Sequence, residues 1–142
     1  MSGKILFPSE DWMNKLVDLL RDNEDYKKAA SNWEGSLALV IEKEEGKFDQ
    51  DLIFYADPYH GEIREHAIVN SVEEKSPDFV INGPYSVWKE IQQGNMDSMQ
   101  AIMKGKVKVK GNMAALLKQV KATQVMMKLL EEIPTKYVDE VN

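Results

Sequence analysis

Polar and apolar positions along the chain fall into blocks of different period, and the order of the blocks predicts the architecture. Between residues 10 and 22 Trp12, Leu16, Leu19 and Leu20 recur at helical spacing, so this segment reads as an amphipathic helix. Ser9 stands where an N-cap belongs, and Glu10 and Asp11 occupy the first turn, where the helix dipole favours acids. A second short helix, over about 23–32, carries Tyr26, Ala29, Ala30 and Trp33 on one side and is broken by Gly35. The period then shortens to two. In 36–42, Leu37, Leu39 and Ile41 share one face and Ala38 and Val40 the other, a strand apolar on both sides and therefore interior. Residues 51–57 and 62–71 continue as strands, the latter with Ile63, Ala67 and Val69 on one face. Turn chemistry at EEGKFDQ and PYHGE separates the three. Short loops between consecutive strands predict an antiparallel meander, and 77–83 supplies a fourth strand.

After Pro84 the period returns to helical. YSVWKEIQQ runs to Gly94 and NMDSMQAIMK to Gly105, each glycine placed as a C-cap. In KGKVKVKGNM, residues 104–113, Lys104, Lys106, Lys108 and Lys110 alternate with Val107 and Val109. This predicts a short fifth strand over 106–110 whose valines face the interior and whose lysines face water. Asn112 is placed to cap a last helix over about 113–132, ended by Pro134. KATQ, at 121–124, interrupts its apolar stripe and marks a point of division. The expected fold class is α+β, one domain over 1–142: a five-stranded, mostly antiparallel sheet covered by helices, with an apolar cavity between sheet and helices.

At 43% hydrophobic and 30% charged over 142 residues, the chain has the material for a real core. It has no cysteine, which excludes disulfides, thiolate metal sites and a cysteine nucleophile. MSGKILFPSEDW lacks the apolar run of a signal peptide, no apolar stretch is long enough to span a bilayer, and DEVN matches no peroxisomal address. The expected location is cytoplasmic. The net charge of −6 is unevenly spread: eight lysines against Glu90 and Asp97 make the segment 84–128 +6, leaving −12 for the rest. Such polarity orients a molecule at a charged surface, although lysines on a strand also serve to discourage edge-to-edge pairing.

Candidate chemistry is sparse. Of the two histidines, His60 lies in a turn and His66 in a strand, without the short helical spacing of a zinc motif. Asp57, His60, Glu62 and His66 gather around one turn, the only set that a weak divalent site or an enzyme could use. Gly105 and Gly111 flank a strand and do not form a phosphate loop. Residues 104–121 contain no aromatic residue and no arginine, so nucleic acid is not an expected partner. No catalytic activity, cofactor or metal is expected. The apolar side says more. Six of the eight methionines fall in the last third of the chain, at Met96, Met99, Met103, Met113, Met126 and Met127. Methionine fills cores and also lines adaptable apolar cavities. The helices on either side of 106–110 are placed to wall one apolar space together with Val107 and Val109.

The segment PDFVINGPYSVWKEIQQGNMDSMQAIMKGKVKVKGNMAALLK, 77–118, resembles the sterol carrier protein 2 family, also called the sterol-binding domain. Its signature is a strand, a short helix, a Gly-Asn or Gly-Asp turn, a helix running into Gly-Lys, an alternating lysine strand, and a second Gly-Asn or Gly-Asp. Here these are 79–81, 85–92, 94–95, 96–103, 105–106, 107–110 and 111–112. The resemblance implies a five-stranded sheet covered by helices around a hydrophobic tunnel. It also implies binding or transfer of sterols, fatty acids, fatty acyl-CoA or phospholipids without chemical conversion.

On the same resemblance, Trp88, Met99, Ile102, Met103, Val107, Val109, Met113, Leu116, Leu117 and Val120 are assigned to ligand binding. Met126, Met127 and Leu130 would belong to a carboxyl-terminal flap near the entrance. Lys104, Lys106, Lys108 and Lys110 are assigned a transient contact with an anionic membrane surface. The absence of a peroxisomal end and of a fused enzyme points to a stand-alone, prokaryote-like member, for which a sterol is the less favoured ligand. The alternative reading is an accessory module with a filled core that binds a partner protein; a third is an enzyme built on the turn at 57–66. Oligomeric state and the identity of the lipid stay open.

Overall fold

The computed structural model describes residues 4–140. The described chain begins with a short strand, β1 (Ile5–Phe7), followed by α1 (Glu10–Asp22) and α2 (Glu24–Ala29). Both helices start as their polar residues dictate. The Ser9 hydroxyl accepts from the Trp12 N–H at 3.1 Å, and Asn23 Oδ1 accepts from the Tyr26 N–H at 2.8 Å. Three strands follow, β2 (Leu37–Glu42), β3 (Leu52–Tyr59) and β4 (Glu62–Val69), then β5 (Phe79–Pro84). The remainder is α3 (Tyr85–Gln92), α4 (Ser98–Met103), β6 (Lys108–Lys110), α5 (Met113–Leu117), α6 (Val120–Glu132) and β7 (Thr135–Tyr137).

Five strands form one sheet in the order β4-β3-β2-β5-β6. β2, β3 and β4 make the expected antiparallel meander, but β5 returns to the other side of β2 and pairs with it in parallel, Leu39 opposite Ile81. A parallel neighbour needs a crossover. Residues 70–78 provide it, passing over the sheet face that carries Ala38, Ile53, Tyr55 and Val69, against which Val72 packs. The other face carries Leu37, Ile41, Phe54, Ile63 and Phe79 and is covered by the helices. β2 is thus apolar on both faces because both are covered.

Several boundaries differ from the sequence reading, each for a local reason. β3 runs on through Pro58 and Tyr59, so the turn shrinks to His60 and Gly61, both at positive φ. Between the pairs Ala56–His66 and Pro58–Ile63 the register shifts, β4 carrying one more residue than β3. This bulge turns Ile63 toward the helices while Ala67 and Val69 face away, so the three do not share a face. α4 begins at Ser98, after the Asp97 side chain accepts from Gln100 N at 3.1 Å. The last helix divides at Lys118–Gln119, not at 121–124. There Gln119 N–H reaches back only three residues, to Leu116 O at 2.9 Å, tightening the turn. Ala122 is buried within α6, and Thr123 Oγ1 donates to Gln119 O at 3.0 Å. β1 and β7, three residues each and unforeseen, pair in parallel, Ile5 opposite Thr135.

Gly111, where β6 turns into α5, sits at φ +125°, and a Cβ there would lie 2.6 Å from Asp78 O and 2.9 Å from Phe79 Cδ1. Gly105 has φ +74° but open space around the Cβ position. Gly111→Ala is therefore expected to lose about 2–3 kcal/mol and Gly105→Ala roughly 1 kcal/mol, measured by urea unfolding.

Candidate functional site

The sheet and its helices do not meet flush. Three small apolar voids lie between them, of about 40, 30 and 40 Å³. The first has Leu37, Leu39 and Ile81 as its floor, Trp88 and Ile91 of α3 on one side, and Met99 and Ile102 of α4 with Val107 on another. Leu116, Thr123, Met126 and Met127 close it. The second shares Leu39, Trp88, Met126 and Met127 and extends to Phe7, Trp12 and Phe54. The third shares Leu37, Leu39 and Met126 and extends along α1 to Met13, Val17 and Leu20. Leu39 and Met126 border all three. One partition between the voids is thus an unbranched, flexible thioether chain, the side chain most able to change rotamer inside a core.

Trp88 is fixed where it stands. Its Nε1–H points between two carbonyls, Val40 O at 3.0 Å and Gly83 O at 3.1 Å, so the indole spans β2 and β5 and presents its ring to the first two voids. Two of the polar side chains near the voids are engaged: Thr123 within its helix, and buried Gln92 with Leu130 O at 2.9 Å and Thr135 Oγ1 at 3.2 Å. Among the described residues no buried side-chain nitrogen or oxygen lacks a partner. Such an interior offers dispersion and dryness to a guest.

Of the residues assigned to ligand binding, Trp88, Met99, Ile102, Val107, Leu116, Met126 and Met127 border the first void and Leu130 the second. Met103 is 82% exposed, Leu117 49% and Met113 39%. All three lie on the outside of the cover, at 103 and 117 because Ile102 and Leu116, one residue round each short helix, take the inward positions. Val109, opposite Ile81 in β6, and Val120 at the head of α6 are partly buried but border none of the voids. Trp33, Leu37, Leu39, Ile81 and Ile91 were not anticipated as walls, although the alternation in 36–42 had already put Leu37 and Leu39 on one face. Lys104, Lys106, Lys108 and Lys110 are all exposed.

The turn at 57–66 disperses its ligating groups. His60 Nε2 lies 2.6 Å from Glu34, Asp57 accepts from Arg64 Nε at 3.0 Å, and His66 Nε2 lies 3.2 Å from Asn14 Oδ1. Among the described residues no group of three or more His, Cys, Asp or Glu converges as a metal site would require.

A family model described as the SCP-2 sterol transfer family matches residues 13–124. The chain belongs to this family. A crystal structure of sterol carrier protein 2 is 33% identical over 88% of this chain and 97% of its own, with a TM-score of 0.79. A conserved hypothetical protein of Thermus thermophilus, described as possibly a sterol carrier protein, is also 33% identical, over 96% of this chain and 94% of its own, with a TM-score of 0.80. A palmitated sterol carrier protein 2-like protein of Aedes aegypti, 16% identical over 79% of this chain and 92% of its own, shares the fold at a TM-score of 0.54. No curated protein matches. The family is described as one of sterol transfer. Among the described residues no helix is long and apolar enough to cross a membrane.

In this SCP-2 chain a polar latch adjoins the second void at Gln92. Tyr137 OH donates to the Gln92 carbonyl oxygen, and Tyr85 OH donates to Asp139 Oδ1 at 2.7 Å. Lys89 Nζ reaches Asp139 at 3.1 Å and Glu140 at 2.6 Å. Burial alone would raise the Asp139 pKa, but the Tyr85 hydroxyl and the Lys89 ammonium outweigh it and hold it below the usual carboxylate range. Burial alone would lower the Lys89 pKa; hydrogen bonds to Glu140 and Asp139 reverse that and raise it. Burial, reinforced by Asp139, pushes the Tyr85 hydroxyl far up, so it remains a donor.

A depressed carboxylate stabilises the fold above its unfolded pKa and ceases to do so as pH falls through the folded value. Asp139→Asn is expected to cost about 1 kcal/mol at neutral pH and to flatten the acid limb of stability below about pH 4, read as Tm against pH.

Proposed function

We propose that this protein holds the hydrocarbon chain of a lipid between the helix-covered face of its sheet and α4–α6, and carries it unaltered. The observation behind this reading is the row of apolar voids meeting at Leu39 and Met126. Each methylene taken from water into such a space contributes about 0.8 kcal/mol, so a long chain needs few polar contacts to bind tightly. At 30–40 Å³ each, the voids are far below the roughly 300–1,000 Å³ of a ready-made ligand pocket. Loading therefore requires Met126 and Met127 to repack and the cover to lift. The cover is suited to this: α4 has six residues and α5 five, anchored by buried Ala101 and Leu116. A flexible acyl chain, from a fatty acid, acyl-CoA or phospholipid, threads linked narrow voids more readily than a rigid sterol does.

The outside of the same cover supports a transient contact with anionic membranes. Lys104, Lys106, Lys108 and Lys110 stand beside exposed Met103, Met113 and Leu117 in a segment of charge +6. Each lysine at an anionic surface contributes roughly 1 kcal/mol. The small size of the voids favours one second reading, an accessory module with a filled core that binds a partner protein.

Uptake of a fluorescent fatty acid separates the two. Met126→Glu and the junction-filling Leu39→Phe are expected to lower affinity about tenfold or more, whereas Leu117→Glu, on the outside, leaves it unchanged; no uptake by the unmodified chain would favour the filled-core module. In sedimentation with anionic vesicles, the pair Lys106→Gln and Lys108→Gln is expected to weaken binding, as is added salt. Vesicle binding indifferent to both would remove the membrane contact.

A further inference from the structure

Helix α5 does not match its surroundings. Its five residues, Met113 to Leu117, are all apolar, so it is hydrophobic around its whole circumference. A helix of that kind belongs where apolar matter lies on every side. The fold supplies it on one side only: Leu116 is buried against the first void, while Met113, Ala114 and Leu117 are exposed. α4 repeats the arrangement in consecutive residues, with Ala101 fully buried, Ile102 on the void and Met103 exposed. Of the six α-helices, these two are the least attached to any other element. β6, between them, is held in the sheet by its pairing with β5.

Charge defines what suits the outer side. From Ser98 to Leu130 the chain has seven lysines and no acid. Among the described residues none of these lysines makes a salt bridge. The same stretch has no aromatic residue and no arginine, the side chains that most often anchor a protein interface. A second copy would bring an identical positive face against the first, and like charges repel. An anionic bilayer meets both demands: its headgroups neutralise the lysines, and the acyl region beneath them takes the methionine and leucine side chains.

We infer that contact with an anionic bilayer is what opens the interior. On contact, α4 and α5 turn away from the sheet and lay Ile102 and Leu116, together with Met103 and Leu117, in the lipid interface. The first void then opens toward the membrane, and a chain passes between the two without crossing water. In solution the alternative environment is water, so the inner side chains stay turned inward and the cover stays shut. The inference rests on the carrier reading above and adds to it what controls the entrance.

A chain without cysteine lets single thiols report the opening. Ala101→Cys in α4 and Leu116→Cys in α5 each place a buried thiol under the cover, and Ala38→Cys places one on the opposite sheet face. Reaction with N-ethylmaleimide is followed by mass spectrometry in buffer, with vesicles of phosphatidylcholine alone, and with phosphatidylserine mixed in. Both cover thiols are expected to react about tenfold faster on the mixed vesicles, and Ala38→Cys at an unchanged rate. Leu117→Glu, added to either cover variant, should remove the acceleration. The opening would be overturned if neither cover thiol reacted faster on mixed vesicles than in buffer, or if phosphatidylcholine alone gave an equal gain. An equal gain at Ala38→Cys, or acceleration that survives Leu117→Glu, would overturn it too. Acceleration without any uptake of fluorescent fatty acid would overturn the carrier reading alone.

Discussion

The parallel pairing of β2 with β5 is the constraint on which the remaining arrangement depends. It sets Leu39 beside Ile81, which together floor the first void, and it delivers the chain at Pro84 directly into α3. Trp88, one turn into that helix, then reaches a carbonyl on each of the two strands, Val40 and Gly83. The indole cannot satisfy both unless the strands lie side by side in this register. With α3 so fixed, α6 packs against it, and the methionines at 126 and 127 come to lie over the middle of the sheet. The same pairing demands the crossover at 70–78, which covers the second sheet face and frees the helices to cover only the first.

Coverage of the first face is uneven in its anchoring. α1 and α6 bury Trp12, Leu16, Leu20, Leu129 and Leu130 and are backed by the β1–β7 pair and the Tyr85–Asp139–Lys89 latch. α4 and α5 are short, separated by a three-residue strand, and expose apolar side chains between lysines. A segment with few buried anchors opens at lower free energy than the core around it. The alternating lysines and valines at 104–110 therefore serve two surfaces at once: Val107 and Val109 hold the cover to the protein, and the lysines give its outside the charge that the acidic remainder of the chain lacks.

Much of this was legible in the chain itself. Period-two and period-3.6 spacing identify the longer strands and helices because a covered face needs one unbroken apolar row. Ser9, Asn23, Asp97 and Asn112 mark helix starts through local hydrogen bonds that need no distant partner. The segment 77–118 carries enough of these local signals in a fixed order to identify the SCP-2 family.

What local spacing could not decide is which way a short element faces and what lies beside it. Ile63 parted from Ala67 and Val69 because one extra residue entered β4 opposite β3, a fact of pairing between strands. Met103 and Leu117 turned outward because a helix of six or five residues takes its rotation from the sheet it lies on, and Ile102 and Leu116 fit that surface better. β1 and β7 are too short to show a period and exist only because they meet each other. The sequence by itself thus determined the kinds of element, their order and the family to which they belong, since these follow from contacts a few residues apart. Tertiary structure alone decided which apolar side chains meet around the voids, since this depends on contacts between segments tens of residues apart.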